Sequence, residues 1–173
     1  MNSELINDMA KIFADRTLYH INLVASYGKK IGKNFADHDM DKITNTKLLI
    51  PYVFLTYKKK HPEIEISDNM QNQIDSATLI HILTNEHHPE YWLKDKENLD
   101  AFTRDNDMPI GMMDVTAMSN NAIEEMIADW CAMSEELGNT PQEWANKVIG
   151  VKYKFSDKQL KYINQLMSKL WDK

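Results

Sequence analysis

The sequence holds one cysteine, Cys131, and two arginines, Arg16 and Arg104. A single cysteine excludes an internal disulfide and a thiolate zinc cluster. Within "MIADWCAM" it reads as a small buried hydrophobe. With few arginines, a net charge of −6 and no long basic run, the chain lacks the clustered cations that grip nucleic acid, so no duplex nucleic-acid partner is expected. Long apolar runs are missing too. Nothing approaches the ~18–20 residues a membrane span requires, and "MNSELINDMAKIF" carries acids early with no continuous apolar core, unlike a signal peptide. A soluble, cytoplasmic protein without a membrane partner is expected. An acidic chain that handles an acidic substrate needs a local cation, and a bound metal would provide one.

Glycine and proline are also scarce, five of each, and the hydrophobic periodicity is helical. Length (173 residues) and 43% hydrophobic content suit one domain. Its core is expected over about 1–138, followed by a helical extension over about 139–173. Ile6, Met9, Phe13, Thr17, His20, Val24 and Tyr27 form one helical stripe that fades at "GKKIG". The acidic stretch "NFADHDMDKI" then connects to a helix running from Thr44 or Asn45 to about Lys60, which Pro51 should kink or restart. Ser67 predicts an N-cap for a third helix. Ile74, Ala77 or Thr78, His81, Asn85 and His88 lie on one face of it, and Pro89 ends or bends it. Residues 94–115 read as an irregular loop. Ser119 opens a fourth helix that Gly138 closes. "TPQE" from Thr140 and "SDKQ" from Ser156 predict capping boxes for two more. No strand pair is apparent, and the expected class is all-α.

Several of these stripes are interrupted by polar residues. His20 sits in the apolar stripe of helix one, and His81, Asn85 and His88 in that of helix three. Asp129 falls in line with Ala122, Met126 and Met133 in helix four. A buried aspartate is costly unless it is paired, hydrogen-bonded or metal-bound. Singly, each histidine reads as a satisfied core residue and each acid as one facing a groove. Together, three helices place a metal-capable side chain in their core faces, and the first connector adds adjacent His38 and Asp39. Helical proteins build metal sites from several helices in this way. Imidazole and carboxylate donors suit zinc, iron, manganese, cobalt, nickel or, with more carboxylate, magnesium.

The ordered set His20, "HDMDK" (His38, Asp39, Lys42), the later histidines and Asp129 resembles the HD-domain metal-dependent phosphohydrolase superfamily, which has an all-α, HD-domain-like helical bundle. "HDMDK…IPY", "HILTNEHHPEYW" and "EMIADW" look like an uncharacterised branch of it. The resemblance covers residues 20 to about 130. It implies one divalent metal held by His20, His38, Asp39 and Asp129. A second ion would be held by His81 and either His87 or His88, with Asp39 bridging. Asp41 departs from the pattern, where a small hydroxyl residue is expected; it reads as an orienting partner of a ligand histidine or as solvated. Asp37 reads as a wet turn and His61 as a surface residue.

Such parts suit attack of activated water on a small phosphoester, a nucleotide and foremost a nucleoside monophosphate. Asp39, Lys42 and Asp41 are the candidate catalytic residues. Lys42 would bind a phosphoryl oxygen, and Asp41 or Glu86 would take a proton. Tyr91 and Trp92 would wall the pocket or stack on a base, and Arg104 would close over a phosphate. The alternatives are an HD-like di-iron oxygenase, which uses a similar ligand set, and a non-catalytic metal- or nucleotide-binding protein.

Overall fold

The computed structural model describes residues 3–96, 99 and 112–171. Helix α1 (Ser3–Lys30) packs against α3 (Thr46–Lys60) and also against α5 (Asn120–Leu137). Helix α4 (Asp68–Thr84) lies on α3, and α7 (Asp157–Leu170) lies on α5. Among the described residues there are also two short helices, α2 (Asp41–Thr44) and α6 (Pro141–Val148), with a 3₁₀ turn over Pro89–Trp92. The architecture is an all-α bundle. No helix among the described residues is long and apolar enough to cross a membrane.

The α1 stripe is buried from Met9 through Phe13, Thr17, His20 and Val24 to Tyr27, while Ile6 is half exposed. Val24 and Tyr27 meet Ile123, Met126 and Ile127 of α5 and Ile163, Met167 and Leu170 of α7 in one core. Cys131 is fully buried there. Thus α7, from the 139–173 part, packs in the same core as α1. The Tyr27 hydroxyl donates to Glu135 Oε2 at 2.6 Å and ties α1 to α5.

Four side-chain caps fall where expected. Ser67, Ser119, Thr140 and Ser156 accept from the backbone amides of Met70, Ala122, Glu143 and Gln159. Only Ser156 and Gln159 complete the reciprocal box; at Thr140 the Glu143 carboxylate instead takes the threonine hydroxyl. Pro51 neither ends nor restarts α3, which is assigned as helix straight through it. The start of α3 is capped by Asn45, and "DKIT" before it is a separate helical turn. Helix α4 stops at Thr84 and does not run on to His88.

A parallel strand pair, β1 (Met113–Asp114) with β2 (Tyr153–Lys154), corrects the expectation of no strands. Two-residue strands show no alternation for a pattern to detect.

Candidate metal centre

The centre begins where α1 ends. Gly28 lies in the last turns of α1, and a Cβ there would come within 2.6 Å of the Phe35 ring. The missing side chain lets Phe35 fold back onto the helix, which carries the next residues, 36–40, over the α1–α5 seam. Asp37 is exposed in that turn, as expected. Asp39 adopts a left-handed backbone with φ 58°, a conformation open to Asp at modest cost but uncommon for non-glycine residues. A regular helix could not aim two adjacent side chains at one point. With the left-handed turn, His38 and Asp39 both face inward, and both are buried.

Ring nitrogens and carboxylate oxygens from four segments meet there. His20 Nε2 lies 3.0 Å from Asp129 Oδ1 and 3.9 Å from Asp39 Oδ2. His38 Nε2 lies 3.7 Å from Asp39 Oδ2 and 3.8 Å from Asp129 Oδ1. On the other side of Asp39, its Oδ1 is 3.1 Å from His81 Nε2 and 3.7 Å from His87 Nε2. His88 Nε2 is 3.0 Å from His81 Nε2. An ion with bonds of about 2.0–2.3 Å holds neighbouring donor atoms about 3–4 Å apart, and these separations match. Of three candidate ligand groups, His38–His87–Glu125 lies on the outer Nδ1 side of its two rings, and two are formed by the inner donors, His20–His38–Asp129 and Asp39–His81–His87–His88. Asp39 stands between them, one oxygen toward each.

Buried atoms support the fit. His38 Nε2, Asp39 Oδ1 and His87 Nε2 are buried without a hydrogen-bond partner. Such groups normally find one, and orphaned donors within the two ligand groups are what a cation would satisfy. These buried His and Asp groups could hold a metal ion. The donor set is rich in imidazole, which suits transition metals better than magnesium.

The opposite ring nitrogens are fixed by carboxylates. His81 Nδ1 donates to Asp41 Oδ2 at 2.8 Å, and Asn85 Nδ2 donates to the same oxygen at 2.8 Å. Asp41 therefore orients a candidate ligand histidine. His20 Nδ1 donates to Glu136 Oε1 at 2.5 Å, and Arg16 lies 3.5 Å from Glu136 Oε2. His38 Nδ1 donates to Glu125 Oε1 at 2.9 Å, and His87 Nδ1 lies 3.4 Å from the same atom. This second layer holds imidazoles with the ligating nitrogen inward.

Lys42 sits on Asp39, Nζ to Oδ2 at 2.5 Å, with its ammonium also over the Tyr52 ring. Tyr52 meets His81 edge-on, so α3 walls this side. Electrostatics follow the geometry. Burial alone would raise the Asp39 pKa, but Lys42, His38 and His81 hold it well below the usual carboxylate range. Burial opposes charge on Lys42, yet Asp39 raises it above the ordinary lysine value. Burial would lower His20, but bonds to Asp129 and Glu136 push it up to about 9. His38 and His87 hold Glu125 down at about 2 against the effect of burial.

Every histidine named as a ligand is in the cluster. His87 and His88 both enter, which corrects the expectation that only one would. Because α4 ends at Thr84 with Asn85 as its extended cap, the following turn brings His88 back to His81 while His87 packs on His38, ring centroids 4.3 Å apart. His61 stays outside, beside Tyr57 and Glu63. Glu86 is exposed. Trp92 packs on the core and donates its ring N–H to the Glu86 carbonyl, and Tyr91 lies edge-on against it with Lys96 over its ring. Arg104 lies outside the described residues. Glu125, Glu136 and Tyr52 were not expected. Glu125, Asp129 and Glu136 are four and seven apart, on one face of α5, which is a signal the sequence does carry. A groove of about 630 Å³ between α1 and α3 is lined by apolar side chains, including Met40 and Ile43, and by none of the candidate ligands.

Residues 9–169 match the profile of a family of unknown function (DUF5662). The chain belongs to that family. The match spans the candidate ligands and both the 1–138 and 139–173 parts. Comparisons with curated proteins and with solved structures give no match.

Proposed function

We propose that this DUF5662 protein is a metal-dependent phosphohydrolase that acts on a small phosphoester by attack of activated water. The supporting observation is the pair of ligand groups with Asp39 between them, and the buried, unpartnered His38 Nε2, Asp39 Oδ1 and His87 Nε2 within those groups. The order of those residues resembles the HD-domain superfamily, and that resemblance supplies the reaction class. His20, His38, Asp39 and Asp129 would hold one ion, and His81, His87 and His88 with Asp39 a second. A divalent ion held there lowers the pKa of bound water to about 7 and offsets phosphoryl charge.

The chain's own residues supply the rest. Asp41, Glu125 and Glu136 keep the imidazoles turned inward. Lys42, partly exposed at the rim, is the cation available for a phosphoryl oxygen, and the Asp39 carboxylate holds it in place. A nucleoside monophosphate is the first-choice substrate, because the chain carries little beyond its core to clamp a longer one. Tyr91 is the better placed aromatic for a base, since the Trp92 ring is engaged with the core and with Glu86.

The test is phosphate release from a panel of nucleotides in zinc, manganese, magnesium, cobalt, nickel and iron, for wild type and Lys42→Ala. Removing a preorganised charge stabiliser should lower turnover by about 2–4 kcal/mol of transition-state free energy, with metal content retained. An unimpaired Lys42→Ala returns that lysine to a surface role. No release by wild type in any metal transfers the ligand set to the di-iron oxygenase or non-catalytic binding reading. Oxygen uptake with iron separates those two.

A further inference from the structure

Among the described residues, Glu125 is the one carboxylate that touches histidines of both ligand groups from outside. Its Oε1 accepts from His38 Nδ1 at 2.9 Å and lies 3.4 Å from His87 Nδ1. Through their inner nitrogens His38 goes with His20 and Asp129, and His87 with Asp39, His81 and His88, while Glu125 groups with both rings on their Nδ1 side. The inner Nε2 atoms of both rings are the buried, orphaned ones. A neutral imidazole has one N–H and one lone pair, so the atom bonded at Nδ1 decides what Nε2 can do. With an acceptor at Nδ1, the proton stays there and the Nε2 lone pair faces the centre. Without it, either ring can take the other tautomer and turn an N–H inward, where no ion can bind. Asp41 and Glu136 do this for one histidine each, His81 and His20.

We propose that Glu125 is a shared positioning residue that sets the ligand tautomer of His38 and His87 together, so that both metal positions depend on one outer carboxylate. The inference rests on the metal-centre reading above and says nothing about the reaction catalysed there. A single substitution at Glu125 therefore disturbs both positions, whereas one at Glu136 disturbs only the position that contains His20.

The test is titration of metal-stripped protein with Co²⁺, followed by calorimetry and by the visible spectrum of the bound ion, for wild type, Glu125→Ala, Glu125→Gln and Glu136→Ala. Glu125 is partly exposed on a helix, so alanine keeps the fold, which circular dichroism of the stripped proteins checks. Loss of an outer-sphere partner typically costs about 10–100-fold in metal affinity. Glu125→Ala should show that loss for both ions, Glu136→Ala for one, and Glu125→Gln should recover most of it, because its amide oxygen still accepts. Two ions bound by Glu125→Ala as tightly as by wild type would overturn the proposal, as would weakening of one ion only. A glutamine variant no better than alanine would also overturn it. If wild type binds no Co²⁺, the metal-centre reading falls, and this inference with it.

Discussion

Asp39 combines a left-handed backbone with a carboxylate that faces His20 and His38 on one oxygen and His81 and His87 on the other. Asparagine tolerates the left-handed region and alanine does not, so the two substitutions separate backbone from ligand. Both should lose bound metal. Alanine should be less stable than asparagine by about 1 kcal/mol, the usual scale of left-handed strain in a residue with a Cβ, measured by denaturation of the stripped proteins. The metal-free protein should also show a pH dependence to which His20 contributes together with His87, whose pKa burial would lower but Glu125, Asp39 and Asp129 raise. The His20 pKa is raised in the folded state, to about 9 from 6.5. The stability it contributes is therefore complete below about 6.5 and lost as pH rises toward 9. Thermal melts of chelated protein between those limits should show a falling melting temperature. His20→Gln should reduce the fall.

Helix stripes reveal polar residues that stand where an apolar side chain belongs, and His20, His81 and Asp129 were readable for that reason. The doublet was readable through resemblance, since nothing in a local pattern shows a left-handed turn. Outer carboxylates are harder. Glu125 and Glu136 look like ordinary solvated helix acids, and each finds its histidine on a segment distant in sequence. The joint entry of His87 and His88 depended on where α4 stops, and helix ends are the least certain feature of a periodic pattern. The Gly28–Phe35 contact belongs to the same scale, because it sets how the doublet loop leaves α1. Gly28→Ala should force the buried Phe35 ring aside and cost about 1–3 kcal/mol, as overpacking does. Pairing it with Phe35→Leu should restore part of the loss. A neutral Gly28→Ala would show that the loop is not held by this approach.

Across the whole molecule the centre joins α1, the doublet loop, the end of α4 and α5, segments that are far apart in sequence. Ions bound only by the folded chain stabilise it by mass action, by about 2.7 kcal/mol at a hundred times the dissociation constant. For a chain of this size each kcal/mol moves the melting temperature by roughly 2–4 °C. Chelation should thus lower it by about 5–10 °C, and readdition of metal should restore it. The apolar core of α1, α5 and α7 does not depend on an ion for its own contacts and should keep the stripped protein helical. The most direct test of the account is the metal content of protein purified without chelator and then saturated with each metal in turn, for wild type beside Asp39→Asn. The account predicts stoichiometric divalent transition metal in wild type, with a second ion about 3.5–4 Å from the first at saturation, and loss of both in Asp39→Asn. Wild type without stoichiometric metal under every condition, or Asp39→Asn that binds as wild type does, would contradict it.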